Sequence, residues 1–132
     1  EFEEYGKKVI SNCKALANGL INRGHKLVSN GTDNHLLLLD LRTTGITGKD
    51  LEKQLDEVYI TVNKNTVPNE PLSPFVTSGV RMGTAAVTSR GLNENDMDKI
   101  AEFITMITDN FEANALKVRE GVKEICDKYP IY

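Results

Sequence analysis

The chain has 132 residues, a length that fits one domain. Its net charge of −3, with 27% charged and 39% hydrophobic residues, gives no electrostatic reason to bind nucleic acid or an anionic membrane. No apolar run approaches the roughly 20 residues of a membrane helix. Cys13 and Cys126 lie in helical patterns without a second cysteine or a histidine at ligand spacing. We therefore expect reduced core cysteines, a cytoplasmic protein and no metal site.

The first predicted element is an amphipathic helix. Its apolar residues recur at intervals of three and four, and they are Phe2, Tyr5, Val9, Cys13, Leu16 and Leu20. Gly24 follows the last of them and is a typical helix C-cap. The helical pattern is already present at the first residues and no initiator methionine precedes it, so we expect a domain excised from a longer protein.

Two strands and a helix start are predicted next. Lys26–Ser29 is typical of a short strand, and Asn30–Gly31 of a turn. Leu36–Leu41 is nearly all apolar, which predicts a strand covered on both faces. Thr47 and Asp50 resemble a capping box at the start of a short helix.

The second half combines strands with a long irregular segment and two helices. The β-branched run Val58–Val62 predicts a strand, whereas residues 63–78 have no period, and Val80–Met82 predicts a further short strand. Asn93 is a plausible cap for a helix carrying Met97, Ile100, Ile104 and Ile107. The apolar pattern slips near Asn110, and a last helix carrying Leu116, Val118, Val122 and Ile125 is expected to end at Tyr129–Pro130.

These elements predict one α+β domain over residues 1–132. A small antiparallel or mixed sheet of three or four strands packs against helices. This architecture hosts many functions, so the fold alone assigns none.

The segment from Thr61 to Ala86, TVNKNTVPNEPLSPFVTSGVRMGTAA, is rich in residues suited to ligand binding. The carboxamides of Asn63 and Asn65 both donate and accept, which suits a ring with mixed edges. Three prolines favour defined turns. Residues 73–75 place a hydroxyl, a rigid bend and an aromatic ring side by side.

Arg81 follows in a run of small residues. Small neighbours leave room for close approach, and the planar guanidinium matches a carboxylate through two parallel hydrogen bonds. The residues alone therefore suggest a loop that binds an anion.

Simpler interpretations exist for each of these residues. The two asparagines could cap turns, Phe75 could anchor the loop in the core, and Arg81 could form a structural ion pair. His35 has no neighbouring acid or nucleophile and is more typical of a structural residue. The glycines at 79 and 83 lack the context of a phosphate-binding loop.

The segment NKNTVPNEPLSPFVTSGVRMGT resembles the signature of bacterial serine hydroxymethyltransferases. The resemblance extends upstream through Val28–His35 and downstream through Thr88–Gly91, and it covers essentially the whole chain. Ala85 and Asn30 differ from the proline and glycine that are common in the family.

The resemblance implies the small domain of a pyridoxal-phosphate enzyme of the aspartate aminotransferase (type I) fold. The family transfers the hydroxymethyl carbon of serine to tetrahydrofolate, which yields glycine and 5,10-methylenetetrahydrofolate. It also implies a cytoplasmic homodimer or larger assembly. The Schiff-base lysine and most of the cofactor site would lie in a large domain absent from these 132 residues, so the chain alone is expected to be inactive.

Site residues follow by position in the same resemblance. Arg81 corresponds to the arginine that binds the substrate carboxylate, and Asn65 to the asparagine that contacts the pterin ring. Ser73, Pro74 and Phe75 correspond to the lining of the folate pocket. Two alternatives remain at this point: the small domain of another type I enzyme such as an aminotransferase, or a stand-alone small-molecule-binding regulatory module.

Overall fold

A computed structural model of the chain describes residues 2–28, 36–84 and 91–129. These ranges contain four helices and four strands. They are α1 (Phe2–Asn22), β1 (Lys26–Leu27), β2 (Leu36–Asp40), α2 (Gly48–Glu57), β3 (Asn63–Asn65), β4 (Gly79–Gly83), α3 (Glu94–Asp109) and α4 (Phe111–Lys128). The predicted α+β class is confirmed, and the sheet has four strands, within the predicted three or four.

The sheet has the strand order β1-β2-β4-β3, and every neighbouring pair is antiparallel. β4 is therefore an inner strand with a partner on each side. Its residue Arg81 lies opposite Leu38 of β2 and opposite Asn63 of β3. This register places Asn63 and Asn65 on the strand next to Arg81, so three residues with predicted ligand contacts lie in adjacent strands.

One face of the sheet packs against the helices. Side chains alternate between the faces of a strand, and Leu37, Leu39, Val80 and Met82 are buried with the helices' apolar residues in one cluster. Burial of this face supplies the main stabilisation of the sheet. The expectation that β2 is covered on both faces is wrong for this chain, since the side chain of Leu36 is 45% exposed.

The helix layer is closely packed. A Cβ added to Gly19 of α1 would lie 2.8 Å from the Cβ of Ala101 in α3, closer than carbon atoms normally approach. Glycine at position 19 thus permits the contact between these two helices. Cys13 is completely buried, and Cys126 packs against the core from a partly buried position.

Helix ends agree with their predicted caps. At α2 one half of the predicted capping box is present: the Thr47 side chain accepts a hydrogen bond from the backbone N–H of Asp50 at 3.2 Å. Asn93 and Asp96 form a reciprocal capping box at the start of α3. Asn110 ends α3 and caps α4, which accounts for the slip in the apolar pattern. Gly24 has a φ of 91°, as expected for a C-cap.

The predicted strand Val58–Val62 is wrong. The backbone N–H groups of Val58 and Ile60 both bond to Leu55 O, so this segment completes the end of α2. Tyr59 adopts a φ of 70°, which is incompatible with a strand. Burial of the two valines in the core overrides their β propensity.

Three further predictions need smaller corrections. The strand β3 (Asn63–Asn65) is not predicted by the sequence, because these residues fall in the segment that was expected to be irregular. The first strand is shorter than predicted and covers Lys26–Leu27. Leu116, which the apolar pattern predicts on the buried face of the last helix, is 65% exposed.

Several predicted features lie outside the described residues: the Asn30–Gly31 turn, His35, Ala85 and most of the Val28–His35 and Thr88–Gly91 segments. Within the ranges that the structure describes, no helix combines the length and hydrophobicity needed to cross a membrane.

Candidate functional site

The sheet surface opposite the helices, here called the open face, carries the arginine and the two asparagines that the sequence suggested as ligand-binding residues. Strand alternation and register place Leu36, Leu38, Asp40, Asn63, Asn65 and Arg81 on it. These side chains are exposed or half-buried, whereas their neighbours along β2 and β4 are buried. The open face is therefore a polar surface with an apolar strip contributed by β2.

Arg81 is exposed at the centre of the open face. No hydrogen bond or ion pair joins its guanidinium to another residue among those the structure describes. The structural ion-pair interpretation therefore finds no partner for Arg81 in the described ranges. The two neighbouring strands fix the backbone of Arg81 from both sides, while its guanidinium donors make no hydrogen bond to the described residues.

The acidic residue nearest to Arg81 in the register, Asp40, already forms an ion pair with another arginine. Asp40 lies opposite Gly79, two positions along β4 from Arg81. Both Asp40 oxygens accept from the Arg42 guanidinium, the shortest contact being 2.7 Å, and the backbone N–H of Arg42 adds a further bond. These hydrogen bonds hold the pKa of the Asp40 carboxyl below its ordinary value, so Asp40 is ionised and paired.

The two asparagines of β3 differ in their surroundings. Asn63 is exposed directly opposite Arg81, and Asn65 is half-buried opposite Gly79. The Asn65 amide nitrogen donates to Thr66 O at 2.9 Å, the kind of local contact that the turn interpretation predicts. A carboxamide has two N–H groups and an oxygen, so this one bond leaves capacity for a ligand.

Residues 73–75 form a compact turn in the loop between β3 and β4. Ser73 Oγ accepts from the backbone N–H of Phe75 at 3.1 Å. Ser73 O accepts from the N–H groups of Val76 and Thr77 at 3.0 and 2.9 Å. The Phe75 ring is 79% exposed, so the interpretation of Phe75 as a core anchor is wrong. An exposed aromatic ring on a rigid turn is available to stack on a planar ligand.

A single carboxylate ties this loop together. Glu70 Oε1 accepts from the N–H groups of Val67 and Ser78 at 3.1 and 2.7 Å, and its Oε2 accepts from Leu72 N at 3.2 Å. Arg42 reaches the same loop and donates to Pro68 O at 3.2 Å.

The comparison with known protein families identifies the chain. The family model for serine hydroxymethyltransferase matches residues 1–104. That segment contains every residue of the open face and the whole β3–β4 loop. The chain belongs to the serine hydroxymethyltransferase family.

Family membership confirms the resemblance found in the sequence. It supports a serine/glycine hydroxymethyltransferase type of function, that is, a transferase that uses pyridoxal phosphate and tetrahydrofolate in one-carbon metabolism. It favours this family over the aminotransferase alternative. The matched residues end inside α3, so α4 lies beyond the matched segment.

The structure brings together some of the predicted residues and separates others. Asn63, Asn65 and Arg81 share the open face of this serine hydroxymethyltransferase chain. Ser73 and Phe75 stand in the adjoining loop, and no hydrogen bond links them to Arg81 in the described ranges.

Sequence reasoning missed Glu70, Arg42 and Asp40. An acid within a proline-containing loop is a weak signal that it accepts backbone N–H groups. Which groups it accepts depends on how the loop folds back on itself, and the sequence does not show that. Arg42 and Asp40 could be paired only once β2 and its exit from the sheet were known.

Proposed function

We propose that this chain is the small domain of a longer serine hydroxymethyltransferase and supplies its substrate-carboxylate arginine and part of its folate pocket. The complete enzyme would act as a cytoplasmic homodimer or larger assembly. It would interconvert serine and glycine while tetrahydrofolate and 5,10-methylenetetrahydrofolate exchange the carbon.

One observation carries the proposal: the exposed guanidinium of Arg81 has no partner among the described residues. Serine and glycine offer an amine and a carboxylate, and a guanidinium restrains both carboxylate oxygens at once. Among the described residues of the open face, the carboxylate near Arg81 in the register is that of Asp40, which already binds Arg42. Arg81 is thus available for the carboxylate of a substrate.

The folate contacts would come from the neighbouring polar and aromatic groups. The Asn65 carboxamide suits a pterin ring, whose edge alternates donors and acceptors. The exposed ring of Phe75, held by the turn that Ser73 and Pro74 begin, would provide a flat apolar surface.

The cofactor would be held mainly by the large domain. The donors around Arg81 are a guanidinium and two carboxamides, which fit a carboxylate and a polar ring edge. Pyridoxal phosphate, when bound, supplies an electron sink for the reaction. This chain's own part is to bind and orient the amino acid through Arg81.

Replacement of Arg81 tests the proposal in the complete enzyme. Loss of one partner of a buried charge pair costs roughly 2–5 kcal/mol, or about thirty-fold to several thousand-fold in affinity. We expect Arg81→Ala to weaken glycine binding by this amount while the melting temperature stays near that of the wild type. Arg81→Lys should restore only a small part, because an ammonium is a point charge. Calorimetric titration with glycine gives the dissociation constant.

Arg119→Ala is the matched control. Arg119 lies on α4, where its Nε donates to Glu57 O at 3.0 Å, and it is remote from the open face. We expect this variant to bind glycine normally. Normal glycine affinity in Arg81→Ala would remove Arg81 from the substrate site, and a lower melting temperature with normal affinity would indicate a structural role.

A further inference from the structure

The loop between β3 and β4 is anchored in the core only at its ends. Val67 near its start and Thr77 and Ser78 at its finish are buried. The stretch between them is exposed except for Glu70 and Val76, which are half-buried. A segment with so few apolar contacts needs another source of order, because fixing each residue costs conformational entropy.

The Glu70 carboxylate supplies that order through three backbone hydrogen bonds. Its oxygens accept from Val67 N at 3.1 Å, Leu72 N at 3.2 Å and Ser78 N at 2.7 Å. These residues lie at the start, the middle and the end of the loop. One side chain therefore links the backbone at the start, the middle and the end of the loop, and restricts their movement relative to one another.

The charge of Glu70 strengthens these bonds. Desolvation raises the pKa of the Glu70 carboxyl, but the hydrogen bonds from the loop outweigh it and the pKa lies below its ordinary value. The side chain is thus an ionised, acceptor-only group at neutral pH, and bonds from N–H groups to a carboxylate are stronger than those to a neutral oxygen. Arg42 holds the same loop through Pro68 O at 3.2 Å.

The turn of residues 73–77 lies between two residues whose N–H groups donate to the Glu70 carboxylate. Leu72 precedes this turn and Ser78 follows it. Inside the turn, hydrogen bonds to Ser73 make it a rigid unit. The start of α2 also holds this turn, because the N–H groups of Gly48 and Lys49 donate to Thr77 O and Val76 O at 3.0 and 2.9 Å. The direction in which the Phe75 ring projects is therefore set by α2 at one end of the turn and by the residues that Glu70 joins at both ends.

We propose that Glu70 is a positioning residue for folate: its carboxylate pre-orders the β3–β4 loop so that Ser73, Pro74 and Phe75 meet the cosubstrate without first being ordered. This inference rests on the proposed folate role of the loop. Among the described residues, the Glu70 carboxylate bonds to backbone N–H groups of the loop and to the Ser78 side chain. Its loss should raise the KM for tetrahydrofolate and leave amino-acid binding unchanged, because Arg81 is held by β2 and β3 independently of the loop.

The experiment compares four variants of the complete enzyme. Phe75→Ala tests the folate role of the loop, and Glu70→Ala tests the positioning role. Glu70→Gln keeps an acceptor for two of the three N–H groups but loses the charge. Asp96→Ala is the control: it removes a carboxylate that accepts from Asn93 N at 2.9 Å in the cap of α3, remote from the loop.

We expect Phe75→Ala and Glu70→Ala each to raise the tetrahydrofolate KM about tenfold, the scale of ordering one or two side chains on binding. Glu70→Gln should fall between Glu70→Ala and the wild type. The glycine dissociation constant should stay within about twofold in all of them. Hydrogen–deuterium exchange should accelerate across residues 66–78 in Glu70→Ala and remain unchanged in α1. Asp96→Ala should leave the KM unchanged even if it lowers the melting temperature.

Two results would overturn the inference alone: a raised KM in Phe75→Ala with a normal KM in Glu70→Ala, or equal losses of folate and glycine binding in Glu70→Ala. A normal KM in Phe75→Ala would overturn the proposed folate role of the loop, and the inference with it. If Glu70→Ala fails to accumulate, Glu70→Gln gives the same comparison, and unchanged exchange across residues 66–78 in that variant would refute the positioning role.

Discussion

The two faces of the sheet use the same strands for different purposes. Along β4, Val80 and Met82 are buried against the helices, and Arg81 between them is exposed. Along β2, Leu37 and Leu39 are buried, whereas Leu38 and Leu36 face the opposite way. The helix-covered face is closely packed and apolar, and the open face carries an arginine and two asparagines.

This difference separates the residues of a strand that pack in the core from those whose side chains remain exposed. Strand side chains alternate with a period of two, so a substitution on one face leaves its neighbour on the other face in place. The core side fixes the backbone of Arg81 without using its side chain. We therefore expect variants of the two faces to separate cleanly into losses of stability and losses of ligand affinity.

The comparison of Leu39→Ala with Leu38→Ala should give the largest difference in unfolding free energy between the two faces. Leu39 is completely buried, and truncation of such a leucine costs roughly 2–5 kcal/mol of unfolding free energy. Leu38 is half-buried on the open face, so its truncation should cost about 1 kcal/mol or less. Denaturant-induced unfolding followed by circular dichroism measures both. Equal losses would mean that the open face contributes as much to stability as the core face.

Gly48→Ala probes the point where the helix layer meets the start of β4. A Cβ at Gly48 would collide with Thr77 Oγ1 and Gly79 O, so one side must move. We expect a loss of roughly 1–3 kcal/mol, the usual cost of overpacking. Thermal unfolding measures it.

Gly6→Ala is the matched control for Gly48→Ala. Gly6 lies inside α1, and no described atom comes within 4 Å of its added Cβ. We expect a gain of about 0.5–1 kcal/mol, because alanine is the better helix former. A gain at position 48 would contradict the close contact.

Asn65→Ala should change ligand affinity with little change in stability. If the carboxamide contacts the pterin, its loss should weaken tetrahydrofolate binding by roughly 1–3 kcal/mol, the cost of a buried polar group left unpaired. Glycine binding should be unaffected. Asn114→Ala is the control, because Asn114 also donates to a backbone oxygen, Met106 O at 2.9 Å, but on α4. Equal weakening of folate and glycine binding would assign Asn65 a structural role in the turn.

The smallest expected effect is a pH dependence confined to the helix layer. Burial lowers the pKa of His25, Arg23 lowers it further, and Asp109 raises it. His25 Nε2 lies 2.9 Å from Thr105 Oγ1, and that hydroxyl donates to Ala101 O, so it accepts from the imidazole. With a folded-state pKa below the ordinary value of about 6.5, the unfolded chain binds the proton more readily. Stability should therefore fall as the pH drops below about 6.5.

Melting temperatures at pH 7.5 and 5.5 check the sign of this effect. We expect a decrease on acidification in the wild type and a smaller decrease in His25→Gln. The Asp40–Arg42 pair on the open face should not contribute in this window. The pKa of Asp40 is lowered, so its contribution is complete above the ordinary carboxyl pKa of about 3.9 and is lost only at lower pH. An increase in stability on acidification would contradict the role of His25.

Local signals in the sequence predicted much of the fold. The caps at Thr47 and Asn93 and the break at Asn110 rest on hydrogen bonds between residues three apart, so short motifs were sufficient. The predicted strand Val58–Val62 failed because propensity favoured a strand where tertiary burial completed a helix end. The prediction that both faces of β2 are buried was wrong because an apolar run does not show which neighbours a strand will have.

For the candidate site, the sequence by itself determined the family and the residues that carry the resemblance, since these are properties of residue type and order. Only the tertiary structure decided that Arg81 lies opposite Asn63 and is unpaired among the described residues. It also decided that Arg42 pairs with Asp40, and that the Glu70 carboxylate accepts three backbone hydrogen bonds within one loop. The reason is physical. Strand register and loop closure bring together groups that lie apart along the chain, and the free energy of those contacts depends on distance in space.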